Sequence, residues 1–212
     1  MSEGAAADLV LASASPRRRE LLGQLGLVLE VTPANVDETP HLGERPAEYV
    51  RRVAASKCDA VAAARAAVVP APPSIPILAA DTIVIVDDQI FGQPTDDADA
   101  RRMLTALGGR RHDVTTAYRI AFGGRTLDRA VTTTVSFRSL RPAELDAYVA
   151  SGEWKGKAGG YAVQGRAAVF VTELRGSHTN VIGLPLAEVL ADLQALEALP
   201  RYPPAAFGGT GP

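Results

Sequence analysis

Arg17, Arg18 and Arg19 follow Ser13-Ala-Ser15-Pro16, and here residue type and spacing first point to chemistry. The apolar run 9–11 stops at the serines, and Leu21, Leu22 and Leu25 then recur at helical spacing, so a strand, a short loop and a helix are expected. Ser15 suits the N-cap, and Pro16 suits the first helical position, where no N–H is missed. A helix N-terminus carries partial positive charge and favours acidic neighbours, so three arginines on that turn call for an anion. Serine hydroxyls, free N–H groups and guanidinium forks all match phosphate oxygens. The alternative is three arginines spread into water at a modest electrostatic cost.

Residues 77–86, Ile-Leu-Ala-Ala-Asp-Thr-Ile-Val-Ile-Val, are apolar on both parities, the pattern of a strand buried on both faces. Asp81 and Thr82 interrupt it. A carboxylate in such a strand needs a partner or a metal, because burying its charge alone is strongly unfavourable. A role for Asp81 as metal ligand or general base is preferred over a structural salt bridge. Glu38, beside Asp37 in the polar loop after a second expected strand at 27–31, is the other candidate carboxylate. Lys57 falls on the apolar face of an expected helix over 46–67, with Val50, Val53, Ala54, Cys58 and Val61. It either snorkels to water or is held by an anionic partner. The segment 152–165 holds five glycines among Trp154, Lys155, Lys157 and Tyr161, which suits close backbone approach and a second wall for a nucleotide pocket. A plain surface turn is the bland reading of the same residues.

The remaining elements position these groups. A proline-rich connector spans 69–76, and Asp87-Asp88-Gln89 turns into a short strand ending at Phe91. A helix over 96–107 carries Arg101 and Arg102 on a solvated face, and Gly108-Gly109 ends it. Residues 112–122 and 127–137 flank Gly123-Gly124 as an antiparallel hairpin. A helix over 140–150, a strand over 167–173 and a final helix ending near 199 complete the pattern, with a disordered tail from 201.

The 212 residues, 47% hydrophobic and 22% charged, are enough for one substantial core. A net charge of −2 argues against binding nucleic acid through bulk positive charge, so phosphate recognition is expected to be local and directed at a small molecule. Cys58 is the single cysteine and precludes an internal disulfide. With no basic region before an apolar core at the N-terminus and no run of membrane-spanning length, a cytoplasmic protein with no membrane partner is expected. The chain has no Gly-x-x-x-x-Gly-Lys-Ser/Thr, Gly-x-Gly-x-x-Gly or Gly-x-Ser-x-Gly motif, and its three histidines lack metal-ligand spacing. Oxygen donors without Cys or His clusters favour a hard divalent cation such as Mg²⁺, held partly by substrate phosphates.

Taken together, Ser13-Ala-Ser-Pro-Arg-Arg18 with Glu20-Leu-Leu, Ala80-Asp-Thr-Ile-Val84, Lys157-Ala-Gly-Gly-Tyr161 with Gln164-Gly165, and Asn180-Val-Ile-Gly-Leu-Pro185 resemble the Maf-like nucleoside triphosphate pyrophosphatases. The resemblance implies an elongated α/β fold in which helices flank a mixed central sheet and two lobes enclose a cleft. It implies one domain over 9–199 after a flexible N-terminus at 1–8. It further implies hydrolysis of a nucleoside triphosphate to the monophosphate and pyrophosphate with a divalent cation, Mg²⁺ or Mn²⁺, and a possible homodimer. The Lys-Ala-Gly-Gly-Tyr form followed by Gln164 is similar to the branch acting on dTTP, UTP and modified pyrimidine nucleotides. By position, Asp81 matches the family's proton acceptor, and Arg17, Thr82 and Gln164 match its specificity positions. Ser13, Arg18, Glu38 and Lys57 match other residues of its site. The expected roles are then metal positioning by Glu38 and Asp81, triphosphate binding by Ser13, Arg17 and Arg18, and added charge from Lys57 and Lys157. Gln93-Pro94 stands where the family usually has Lys-Pro. Two rival readings are a nucleotide-binding regulator of cell division with little turnover, and a phosphatase or pyrophosphatase of other base specificity.

Overall fold

A single mixed sheet runs through the chain. The computed structural model describes residues 6–70, 74–200 and 202–203. Its strands are β1 (Leu9–Leu11), β2 (Leu29–Val31), β3 (Ile77–Val86), β4 (Gln89–Phe91), β5 (Arg111–Phe122), β6 (Arg125–Phe137) and β7 (Val171–Arg175). They are ordered β2-β1-β3-β5-β6-β7, with β4 pairing β3. β1 is parallel to β2 and β3, and the remaining pairs are antiparallel. Gly123 and Gly124, both at positive φ, close the β5–β6 hairpin, as the strand twist demands of a two-residue turn.

The helices are α1 (Pro16–Gly23), α2 (Pro46–Ala66), α3 (Asp97–Leu107), α4 (Pro142–Ala150), α5 (His178–Ile182) and α6 (Leu186–Ala195). Strand parity decides which helix each residue meets. Val10, Ala12, Ile77, Ala79, Ile83 and Ala117 pack with Val50, Ala54, Cys58 and Val61 of α2. The opposite parity, Leu9, Leu11, Leu78, Ala80, Tyr118 and Ile120, packs with Leu21 and Leu22 of α1 and Val189 and Leu193 of α6. Further along that face, Val84, Val86 and Val114 join α3, α4, Trp154, Tyr161 and Phe170 in a separate core.

Several expectations needed correction. Residues 166–170 form a 3-10 helix, and the last strand begins only at Val171. Ala167 and Phe170 are the buried pair and the two residues between them are exposed, a period of three where a strand needs two. The final helix, α6, follows Pro185 as expected but ends at Ala195 rather than near 199, and the short helix α5, closed by Gly183 at φ 133°, precedes it unforeseen. Leu196, Ala198 and Leu199 stay buried beyond the end of α6. α1 ends at Gly23, leaving Leu25 outside the helix, and the second strand begins at Leu29. Arg101 and Arg102 are paired as well as exposed: Arg101 meets Asp146 of α4, and Arg102 binds Asp99 at 2.7 Å and lies over Phe91. Asp8, placed in the flexible N-terminus, donates its N–H to Val28 O and accepts from Val28 N–H, each at 2.8 Å. Residues 1–5 of that terminus, 71–73 of the connector, and 201 and 204–212 of the tail lie outside the described residues. No described helix is long and apolar enough to cross a membrane.

Candidate active site

The site lies at a gap in the ladder of β3. β5 pairs one edge of β3 over Ile77–Ile85. On the other edge β1 takes only Ile77 and Leu78, and β4 takes only Val84, Ile85 and Val86. Residues 79–83 are unpaired on that side. Side chains from both faces of the strand can therefore reach one hollow around the open edge. The result is a cleft of about 490 Å³, lined by Ser13, Arg17, Arg18, Glu38, Lys57, Asp81, Thr82, Lys157 and Gln164 among others. These nine are the residues given site roles in the sequence, and Gln93 and Lys155 border the cleft as well, whereas Arg19 does not.

Asp81 projects toward α2. Its Oδ1 accepts from Lys57 Nζ at 2.9 Å, and the same ammonium lies 2.9 Å from Glu38 Oε1. Lys57 and Asp81 are 12% and 13% exposed against 48% for Glu38, so the pair forms the floor and Glu38 the mouth. Lys57 is thus held by carboxylates rather than snorkelling. Tyr49, two turns before Lys57 on α2, borders the same space, and burial together with the negative charges of Asp81 and Glu38 raises its hydroxyl pKa.

Thr82 projects to the other face and meets Arg18. Ser15 caps α1, accepting from the Arg18 N–H, and this fixes the direction in which the Arg18 side chain leaves the helix. The guanidinium is buried. Its Nε donates to Gly183 O at 2.9 Å, Nη1 to Ser13 Oγ at 3.0 Å and Nη2 to Thr82 Oγ1 at 3.0 Å. Burial lowers its pKa, and the nearby Asp81 charge opposes that shift. Three of its five donors are therefore committed to the protein, which makes Arg18 more a strut than the open phosphate fork expected of it.

Arg17 Nη2 donates to Gly156 O at 2.9 Å, tying α1 to the glycine-rich wall. Lys157 Nζ donates to Lys155 O at 3.2 Å. Burial lowers the pKa of both Arg17 and Lys157, and for Lys157 the Arg17 charge adds to the effect. Like charges gathered and partly dried in this way lower the energy of an incoming anion. The glycines let the wall approach: Gly159 has φ 67°, and a Cβ there would lie 2.9 Å from Val84 Cγ2.

Sequence reasoning missed Tyr49, Thr116 and the Gly183 carbonyl. Tyr49 carried a usable signal, its eight-residue spacing from Lys57 on one helix. Thr116 carried none, because its place depends on the register that sets it opposite Thr82.

A seven-stranded mixed sheet with flanking helices, opened beside an acid-bearing strand into a cation-lined cleft, defines the class. The family model described as Maf-like protein matches residues 8–196, and the chain belongs to that family. More particularly, it is 48% identical over 199 residues to a dTTP/UTP pyrophosphatase of Cereibacter sphaeroides, covering 93% of this chain and 99% of the relative. It is 50% identical over 190 residues to proteins of the same description from Anaeromyxobacter dehalogenans and Sphingopyxis alaskensis, covering 88% and 89% of this chain and 92% and 96% of the relatives.

Proposed function

We propose that the protein hydrolyses dTTP and UTP to the monophosphate and pyrophosphate. The observation that carries this is the convergence of two carboxylates, Glu38 and Asp81, with the cations Arg17, Arg18, Lys57 and Lys157 on one cleft, in a chain whose similar relatives bear that activity in their names. The cleft falls within the size range of small-molecule sites.

Glu38 and Asp81 both reach the Lys57 ammonium, so they also reach one another's neighbourhood, and two hard oxygen donors fit a Mg²⁺ or Mn²⁺ ion that takes its other positions from phosphate and water. Such an ion supplies charge neutralisation across the phosphates when bound. The chain's own residues do the rest. Arg17 and Lys157 hold the triphosphate and offset charge on the departing pyrophosphate, with Lys155 on the same wall. Their presence leaves that wall cationic despite Gln93. Ser13 Oγ accepts from Arg18 and from the Ser15 N–H at 3.2 Å, so its own proton is left to give to a phosphate oxygen. Asp81 takes the proton of a water whose oxygen bonds to the α-phosphorus as the bridge to the β-phosphate breaks, and Lys57 fixes the position of that carboxylate. Thr82 and Gln164 read the base.

A panel of nucleoside triphosphates with Mg²⁺ or Mn²⁺ tests the proposal. Pyrophosphate release from dTTP and UTP is expected, reduced by at least about 100-fold in Asp81→Asn. Orthophosphate as the first product, a purine preference, or binding without release would overturn it.

A further inference from the structure

Thr82 presents the cleft with an oxygen but no proton. Its Oγ1 accepts from Arg18 Nη2 at 3.0 Å, and a guanidinium only donates. Directly opposite in the β3–β5 ladder, Thr116 Oγ1 lies 2.9 Å away. Thr116 is fully buried and gives its single proton to the Asn180 carbonyl at 3.1 Å. Between the two threonines the donor is therefore Thr82. A longer alternative for the Thr82 proton, Gly183 O at 3.4 Å, is also a protein acceptor. What remains for a ligand is a lone pair on Thr82.

A lone pair cannot face ionised phosphate, so Thr82 belongs to the nucleoside end of the cleft. This step rests on the function proposed above. dTTP and UTP differ at C5 and C2′ and share the imide N3–H, a donor, whereas cytosine carries an unprotonated N3 at that position. The 3′-hydroxyl is also shared, but it can donate or accept and needs no partner of fixed polarity. We propose that Thr116, which does not itself line the cleft, is a positioning residue for base choice: by holding the proton of Thr82 it makes Thr82 an obligate acceptor that admits uracil and thymine and rejects cytosine. A polar site rejects a base that leaves its groups mismatched far more strongly than an apolar pocket rejects a change in size.

The test compares kcat/KM for UTP and CTP. Thr116→Val removes the nearer acceptor and leaves only Gly183 O at 3.4 Å, too long to hold the Thr82 proton against a ligand, so that proton can turn toward a cytosine N3, and the preference for UTP is expected to fall about tenfold. Thr116→Ser keeps the hydroxyl and is expected to keep the preference. The Asn180 carbonyl retains the Gly183 N–H at 3.0 Å in both variants, so neither orphans it. Wild-type protein with N3-methyl-UTP gives a reading independent of any variant's folding, with turnover expected at least about tenfold below UTP. An unchanged UTP-to-CTP ratio in Thr116→Val, equal use of UTP and CTP by the wild type, or full use of N3-methyl-UTP would overturn the inference and leave the pyrophosphatase reading intact. Failure of the wild type to hydrolyse either dTTP or UTP would instead defeat that reading.

Discussion

Lys57 shares a helix face with Val50, Val53, Ala54, Cys58 and Val61, and by composition alone it reads more readily as a snorkelling surface lysine than as a bound cation. Its fate is decided by Asp81, 24 positions away on β3, and by Glu38 in a loop, neither of which periodicity can bring to it. Asp81 was easier to read, since an acid amid ten strand residues stands out whatever it meets. Lys57→Met would leave two carboxylates facing each other without their shared ammonium. The expected cost in urea unfolding is on the order of 2 kcal/mol, less than for a fully enclosed pair because Glu38 is half exposed to water. Adding Asp81→Asn should recover part of that loss, because the repulsion goes with the charge. Arg18 shows what helix-start reasoning leaves out. The sequence placed it correctly at a helix start, where it lines the cleft, but three of its donors go to Ser13, Thr82 and Gly183. Arg18→Lys keeps the charge and cannot make three divergent bonds at once, so kcat/KM should fall by at least about tenfold, measured on UTP.

Among the elements, those carrying their own punctuation were legible. β3 runs over the expected residues, α2 starts at Pro46, and the hairpin turns at Gly123-Gly124. The misreadings fall where local propensity and tertiary packing disagree. Ala167-Ala-Val-Phe170 has strand-like composition, yet only its first and last residues find a core, and it coils accordingly. The glycine-rich wall was read correctly as irregular, and the structure supplies the reason at Gly159, whose positive φ and closeness to Val84 leave no room for a side chain. Gly159→Ala should cost about 3 kcal/mol in thermal or urea unfolding, from backbone strain plus overpacking against β3. It should also weaken nucleotide binding, because Lys157 and Gln164 ride on that wall. Alanine at Gly92, where an added Cβ meets nothing within 4 Å, is the matched control.

At the scale of the whole molecule the sequence was least informative, since strand order and register are products of the complete chain. Only the observed pairing shows why Asp81 and Thr82, on opposite faces of one strand, share a hollow. The same long-range packing buries His112 between the rings of Phe137 and Tyr161, at 5.0 and 5.4 Å, with Nε2 2.8 Å from the Tyr161 hydroxyl. Burial lowers its pKa from 6.5 to about 4. The unfolded chain therefore takes up this proton first as pH falls. The stability associated with neutral His112 is complete above pH 6.5 and is lost progressively down to about 4, up to about 3 kcal/mol. Melting temperatures across that range should fall more steeply for the wild type than for His112→Phe. The gap along β3 has its own consequence. Ala12 N–H donates to Leu78 O across the β1–β3 pair, and the two-residue repeat then turns the peptide groups of Ala80 and Thr82 toward the same open edge, where neither β1 nor β4 reaches them. In deuterated solvent the amides of Ala80 and Thr82 should label quickly in a strand whose β5-bonded amides label slowly, and an occupant of the cleft should slow them.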